Sequence, residues 1–382
     1  MSNIEKNLNP GSYLCIVGTK CNNACKYCYN QFNGAESEVD MSIETFKAFI
    51  EFFKEHPSPL ALLGGEPLFY WNQLNFKENL PILSDISNKT LRIVSNGELL
   101  TEERLKFILN NEIAMDISID GIQTCHDRYR RTKQNGLTFN LAEKAAKELI
   151  KGKNDLRLRC TVQQNNAYKY FEMYLGMLSL GGERIGIEPE SFDRWSPYNI
   201  AALEEGINKA IFHYMDLRKN SSQRCWTYER ILFQIFPKFG EFTHADNNWR
   251  RGNSIAILSN GDLSINHNYP FRAKVPEGIF TVGNVFTGYN QEKINNYLDL
   301  FEDLDQNFFY ASNDEGICKK CEGFNLCRNP YNTSPKVECW DNNTYGNGLC
   351  TNLKSIANSL VEYINTYGGI DKYIKDTRKD LK

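Results

Sequence analysis

The sequence predicts an α/β chain in which a parallel sheet, wound with helices, forms a partial (β/α)6 barrel, followed by a small irregular α+β region. Two observations carry this. From Tyr13 to about Pro189, short apolar runs alternate with longer helical patterns, the signature of repeated β/α units. Beyond Pro189 that rhythm stops, and a Gly-, Asn- and Pro-rich stretch bearing several cysteines runs from Asn313 to Cys350, too irregular to build a core unaided.

Six strand candidates fall in the first region: YLCIVG (13–18), LALL (60–63), LRIVS (91–95), IAMDISI (113–119), LRLRCTV (156–162) and RIGIE (184–188). Helical patterns lie between them near 42–55, 72–87, 101–110, 137–152 and 167–180. Thr101, followed by Glu102 and Glu103, gives one of these a capped, dipole-matched start. Right-handed crossovers between successive parallel strands curl such a series into a barrel, with functional residues at the strand C-termini. Helical patterns follow near 199–219 and 226–236, then a strand pair IAILSNGDLSI (255–265) turned by Asn260-Gly261, then a helix at 290–305. A helix over 352–366 precedes a charged tail expected to fray. The expected division is a tail at 1–12, a barrel with connecting helices at 13–240, a cysteine-bearing domain at 241–351 and a C-terminal helix and tail at 352–382.

The chain has 382 residues, 41% of them apolar and 24% charged, and 44 Lys+Arg against 47 Asp+Glu leave a net charge of -3. No single-sign field is present, which argues against nucleic-acid or acidic-membrane partners. No apolar run reaches the ~18 residues of a membrane span, and the first residues resemble neither a secretory signal nor a transit peptide. The expectation is a soluble, cytoplasmic protein. Its 12 cysteines are then metal ligands or buried thiols rather than disulfides.

Cys21, Cys25 and Cys28 lie just past the first strand, with Tyr27 before the last of them. Three thiolates on one loop can hold three irons of a [4Fe–4S] cluster and leave the fourth iron open. They can also be an incomplete zinc knuckle or packing thiols. Each following strand ends in a polar or glycine motif: Gly64-Gly65-Glu66-Pro67, Ser95-Asn96-Gly97, and Ser118-Ile119-Asp120-Gly121 with His126-Asp127 and Arg130 beyond it. In this order the motifs resemble the radical S-adenosylmethionine (SAM) superfamily, whose members fold as partial TIM-like barrels.

That resemblance implies a SAM-binding [4Fe–4S] cluster on Cys21, Cys25 and Cys28. It implies SAM held by Tyr27 at the adenine, by Gly64, Gly65, Glu66 and Pro67 at the methionyl amine, and by Ser118 and Arg130 at the carboxylate. Ser95, Asn96, Asp120 and the backbone near Ile187 complete the set. The implied chemistry is reductive cleavage of SAM to a 5′-deoxyadenosyl radical that abstracts hydrogen from a substrate.

Cys318, Cys321, Cys327 and Cys350 offer four more thiolates, enough for a cluster or a zinc ion. Their spacing resembles the outer auxiliary-cluster ligands of SPASM and Twitch extensions, while the inner-cluster positions hold other residues: Asn266 after Gly261, and Tyr331 after Cys327. One auxiliary cluster is therefore implied, not two, with Cys339 a rival for Cys350 as fourth ligand. Trp249-Arg250-Arg251-Gly252 and Val282-Gly283-Asn284-Val285 keep the rest of that frame. His267 stands where sulfatase-maturating relatives carry the acidic base, and Asp120, Glu188, Asp193 and Trp195 are further residues for the barrel mouth. Cys15 and Cys160 read as packing groups, and Cys125 and Cys225 as packing groups or thioether partners.

The function implied is oxidation or cross-linking of a peptide or protein side chain, with a ribosomally made precursor peptide as the expected substrate. An external flavodoxin- or ferredoxin-type reductant would serve it. The barrel starts at residue 13, so any leader recognition is expected from a separate protein or from the barrel surface. Rival readings are a small-molecule or sulfatase-type substrate and, outside enzymes, a zinc-stapled binding module.

Overall fold

The structure is a computed structural model and describes residues 8, 10–28, 40–190, 195–236, 254–265, 280–299 and 347–377. The chain divides into two compact units: Met1–Ser118, Tyr129–Asp155 and His244–Asn307 form one, and Ile119–Arg128, Leu156–Thr243 and Phe308–Lys382 the other.

The first unit is built on four parallel strands, β1 (Ser12–Ile16), β2 (Leu60–Leu63), β3 (Arg92–Ser95) and β4 (Ala114–Ser118), paired in that order. Their helices are α1 (Ile43–Glu55), α2 (Phe76–Ile86), α3 (Glu102–Asn110) and, later in the chain, α5 (Phe139–Lys151). α1 starts where the Ser42 hydroxyl accepts from the Thr45 N–H at 3.1 Å, satisfying one of the amides a helix start leaves unpaired. Phe46, Phe49, Ile50 and Phe53 recur at helical spacing along its buried face, and burial of each stabilises the unit by about 1.5–3 kcal/mol. Thr101 caps α3 as its sequence predicts, accepting from the Arg104 N–H at 3.4 Å.

On the other edge of β1 lies β8 (Ser254–Ile257), also parallel. It turns through Asn260-Gly261 into antiparallel β9 (Asp262–Ser264), and β10 (Thr281–Asn284) and β11 (Gly288–Tyr289) follow. The Asn-Gly hairpin expected at 255–265 thus extends the sheet of β1. β10 is the Val282-Gly283-Asn284 segment. A helix at 291–299 begins where one was expected.

At the start of β3 Arg92 is buried, and its guanidinium meets Asp116 at 2.8 Å and Asp155 at 2.6 Å. Desolvating such a charge is costly unless it is paired, so the triplet works as a unit.

The second unit holds β5 (Leu156–Val162), β6 (Arg184–Pro189) and the two-residue β7 (Arg224–Cys225), all parallel. Strict alternation of buried and part-exposed residues along β5 shows one face covered by apolar packing, the face opposite Arg157, Arg159 and Thr161. α6 (Tyr170–Ser179), α7 (Pro197–Leu217) and α8 (Trp226–Ile235) complete it, together with the helices Asn347–Tyr367 and Ile370–Thr377. Its core is rich in tyrosine: the hydroxyls of Tyr170 and Tyr228 lie 2.9 Å apart, and Glu229 accepts from Tyr214 and from the Arg218 Nε–H, the latter at 2.6 Å.

Two expectations about the C-terminus need correction. The helix expected over 352–366 starts at Asn347, so the backbone of Cys350 lies in its first turn rather than in the preceding irregular stretch. The charged tail does not fray at once: Ile370–Thr377 is helical, and Tyr373 is buried with its hydroxyl donating to the Met215 carbonyl at 2.7 Å. Only 8 residues long, this helix shows too few turns for a clear period, and its charged surface hides the single anchoring tyrosine. Nor does any periodic pattern announce the short helix α4 (Gln123–Tyr129).

Candidate active site

The cysteine loop leaves β1 and is tied down on both sides within the first unit. On one side the Gly65 N–H donates to the Gly18 carbonyl and the Glu66 N–H to the Lys20 carbonyl, both at 2.8 Å. On the other, the Ala24 N–H donates to the Arg131 carbonyl at 2.8 Å and the Lys26 N–H to the Tyr129 carbonyl at 2.9 Å. Glycine is required on the first side. Gly64 has φ +142°, and a Cβ on either Gly64 or Gly65 would collide with the carbonyls of Gly18 or of Thr19 and Lys20. The start of the loop is fixed again by Tyr70, whose hydroxyl receives the Lys20 N–H at 2.8 Å and donates to Asp40 at 2.6 Å.

Glu66 lies 1% exposed at the end of this contact. Its Oε1 accepts from the Leu68 N–H at 3.0 Å and the Ser95 hydroxyl at 2.9 Å, and its Oε2 from the Asn96 N–H at 2.7 Å. Burial nevertheless lifts its carboxyl to about 7, the three donors only partly offsetting the lost hydration. A buried carboxylate so perturbed, with lone pairs to spare, suits a cationic ligand group. Burial likewise pushes the Cys21 thiol up to about 12; the Asn23 N–H, donating to its sulfur at 3.3 Å, lowers it, and Glu66, Cys25 and Cys28 raise it.

The Arg130 guanidinium, 9% exposed, stacks over the Tyr27 ring at 5.1 Å, and Tyr129 packs on Tyr27 with ring centres 6.2 Å apart. The fold therefore joins two residues 103 positions apart, one in the cysteine loop and one beyond α4. Tyr27, Gly64, Gly65, Glu66, Pro67, Ser95, Asn96, Ser118 and Arg130 all belong to the first unit, with the three cysteines.

Asp120 and Ile187 belong to the second unit. Asp120 is buried and accepts the Thr161 N–H at 3.0 Å, while its own N–H donates to His126 Nδ1 at 3.1 Å. Aspartate and histidine of this motif thus brace the turn after β4. The Ile187 N–H donates to the Thr227 hydroxyl at 3.2 Å. Trp195 is buried, and Glu188 approaches Arg230 at 3.7 Å. Cys15, Cys125, Cys160 and Cys225 are buried thiols outside any disulfide, as packing groups would be. His267, Asp193, Cys318, Cys321, Cys327, Cys339 and the Trp249–Gly252 segment lie outside the described residues, as does the side chain of Cys350.

Three part-exposed thiols on one pinned loop, within electrostatic reach of a buried carboxylate, fit a [4Fe–4S] cluster, in which each sulfur takes its own iron. Among the described residues no three His, Cys, Asp or Glu side chains converge as a single metal ion requires. Sequence reasoning named Asn96 but missed Asn22, Asn23 and Glu98 around the loop. Asn22 and Asn23 both donate to Glu98, at 2.9 and 2.6 Å, and Asn96 donates to Asn22 at 2.9 Å. An Asn-Asn pair between ligand cysteines and an acid directly after Ser95-Asn96-Gly97 were the available signals. Among the described residues no helix is long and apolar enough to cross a membrane.

Comparison with known proteins agrees with this geometry. Residues 15–162 match the Radical SAM superfamily model. The chain is 34% identical over 137 residues to a serine-type anaerobic sulfatase-maturating enzyme of Bacteroides thetaiotaomicron, a stretch covering 32% of each chain. It is 25% identical over 369 residues to a cysteine-type anaerobic sulfatase-maturating enzyme of Clostridium novyi, covering 89% of this chain and 92% of that one. Its fold matches histidine-tagged anSMEcpe with bound AdoMet at a TM-score of 0.72, with 19% identity, over 97% of this chain and 98% of the other. Streptococcus suis SuiB bound to its precursor peptide SuiA matches at 0.58, with 15% identity, over 83% and 71%. The parallel α/β architecture with its strand-end motifs is thus that of a partial TIM-like barrel, and SAM and a [4Fe–4S] cluster are the cofactors this superfamily implies. Residues 15–162 are a radical SAM domain, and the chain is an enzyme related to the sulfatase-maturating enzymes.

Proposed function

We propose that this enzyme abstracts hydrogen from a peptide or protein side chain, oxidising or cross-linking a ribosomally made precursor peptide. The observation that carries the proposal is the pinned cysteine loop beside the buried Glu66, with Arg130 stacked on Tyr27. Cys21, Cys25 and Cys28 hold the SAM-binding cluster. When bound there, SAM and a reduced cluster would supply the hydrogen-abstracting 5′-deoxyadenosyl radical. Around them the chain's own residues bind and orient. Glu66, kept desolvated, would receive the methionyl ammonium, and Arg130, stacked on Tyr27, would pair with the methionyl carboxylate. Gly64 and Gly65 let backbone come close to the cofactor, Pro67 fixes the turn, and Ser95 and Asn96 orient Glu66. Ser118 completes the part of the SAM site that the first unit holds.

Residues 241–351 form a SPASM/Twitch-like domain whose Cys318, Cys321, Cys327 and Cys350, with Cys339 as rival to the last, bind one auxiliary [4Fe–4S] cluster. His267 is the candidate base for the oxidised substrate. A flavodoxin- or ferredoxin-type protein delivers the electron in the cytoplasm, and a separate protein can present the substrate's leader. The support for a peptide substrate is likeness across nearly the whole fold to anSMEcpe, also solved with a Cp18Cys peptide, and to SuiB with SuiA.

A second reading is favoured by the two sulfatase-maturating relatives: oxidation of a serine or cysteine in a sulfatase. Anaerobic enzyme given SAM and dithionite should release 5′-deoxyadenosine and methionine. With precursor peptides or sulfatase-derived peptides added, the modified peptide should lose two hydrogens in mass. SAM cleavage with no change in either peptide set contradicts the substrate assignment, and release of no 5′-deoxyadenosine contradicts the reaction itself.

A further inference from the structure

We propose that Glu98 is a positioning residue that holds the cysteine loop in register and tunes the cluster bound there. The inference rests on the reading that Cys21, Cys25 and Cys28 carry that cluster. Glu98 follows β3 directly, beside Ser95-Asn96-Gly97. Its two carboxylate oxygens take different partners: Oε2 accepts the Asn22 amide at 2.9 Å and Oε1 the Asn23 amide at 2.6 Å. Asn22 and Asn23 are the residues immediately after Cys21.

Asn96 closes the ring. Its side-chain oxygen accepts the Glu98 N–H at 2.9 Å, and its amide donates to the Asn22 oxygen at 2.9 Å while reaching the Cys21 sulfur at 3.9 Å. Its backbone N–H donates to Glu66. One carboxylate thus clamps two successive loop residues, and the same ring aims N–H groups at the Cys21 sulfur, which also accepts from the Asn23 N–H.

Two consequences follow from the chemistry. Charge-assisted bonds to two adjacent asparagines fix the backbone that carries Cys21, which a single neutral bond would not. Hydrogen bonds to cluster sulfurs and nearby charge both set the cluster's potential. Only an acid long enough to span both amides and negative on both oxygens fills this role. Glutamine keeps the length but turns an NH2 group against one asparagine amide and removes the charge. Aspartate keeps the charge but is one methylene too short to reach both.

The test compares wild type, Glu98→Gln and Glu98→Asp, reconstituted anaerobically, by iron release to a chelator and by redox titration of the EPR signal that shifts when SAM is added. The expectation is that both variants lose iron from the N-terminal site about 10-fold faster or more. The glutamine variant also moves the potential of that signal upward, while the aspartate variant moves it less. Wild-type release rates and potentials in both variants overturn the inference while leaving the cluster assignment intact. A Cys21→Ala/Cys25→Ala/Cys28→Ala protein with undiminished iron and an unchanged SAM-responsive signal overturns the assignment itself, and the inference with it. Melting temperatures within a few degrees of wild type establish that the variants fold. If Glu98→Gln does not fold, Glu98→Asp alone decides the release rate.

Discussion

The surroundings of the cysteine loop in the first unit and the core of the second put their polar groups to different uses. In the first, the buried Glu66 is surrounded by donors yet held near neutrality, and the Asn22, Asn23, Asn96 and Glu98 ring faces the cysteine loop. In the second, buried and part-buried polar groups serve one another: Tyr214 and Arg218 both meet Glu229, Tyr170 meets Tyr228, and Lys219 sits over the rings of Tyr363, Tyr367 and Tyr373 at 5.6, 4.3 and 5.8 Å. A buried network closed on itself is glue for packing; one that leaves a perturbed carboxyl beside part-exposed thiols is suited to binding a ligand. The contrast predicts that changes in the first unit damage chemistry more than stability, and that changes in the second do the reverse.

The sharpest break is Gly65→Val. Its side chain has no room against the Thr19 and Lys20 carbonyls, so the cysteine loop must move. SAM cleavage should fall by at least about 100-fold, read as 5′-deoxyadenosine formed per cluster. Retention of wild-type turnover would show that the loop's fit to Gly64-Gly65 is incidental.

In the second unit, Glu229→Ala leaves the part-buried Arg218 without its carboxylate and should cost about 1.5–3 kcal/mol in denaturant unfolding. SAM affinity of the protein that remains folded should not change. A weakened SAM affinity at unaltered stability would contradict the division of labour.

Much of this is legible in the sequence, for definable reasons. All six barrel strands lie within about two residues of the apolar runs that announce them, because parallel strands read as such runs. The glycine and carboxylate motifs can be read because close backbone approach restricts residue choice, as at Gly64 and Gly65. Arg130 and Tyr27 both stand in readable motifs, but their stacking is not visible there, since it depends on how the chain after α4 returns over the cysteine loop. Glu98 is announced only by its place directly after Ser95-Asn96-Gly97, a weak signal because a lone glutamate after a turn is ordinarily solvated. Tyr373 and its short helix are hidden because one anchoring side chain makes no periodic pattern. β7, two residues long, is too short to leave any.

A pH measurement sharpens the account of Glu66. Its folded carboxyl is raised to about 7 from an ordinary value of 4.5, so its contribution to stability is fully present below about 4.5 and lost as pH rises through about 7. The SAM-free protein should lose stability over that window, and Glu66→Gln should flatten the dependence. Equal slopes in the two proteins would mean that Glu66 is ionised in the folded state throughout. The smallest effect is expected for Tyr373→Phe, which removes one buried hydrogen bond to the Met215 carbonyl and should cost about 1 kcal/mol, with no effect on SAM cleavage.

The most direct test of the central claim is EPR of the anaerobically reduced protein with and without SAM, beside the Cys21→Ala/Cys25→Ala/Cys28→Ala variant and with iron counted in both. The account predicts a [4Fe–4S] signal in the wild type that changes when SAM is added, and a variant with about four fewer irons and no SAM-responsive signal. Equal iron in both proteins, or a signal that ignores SAM, would contradict it.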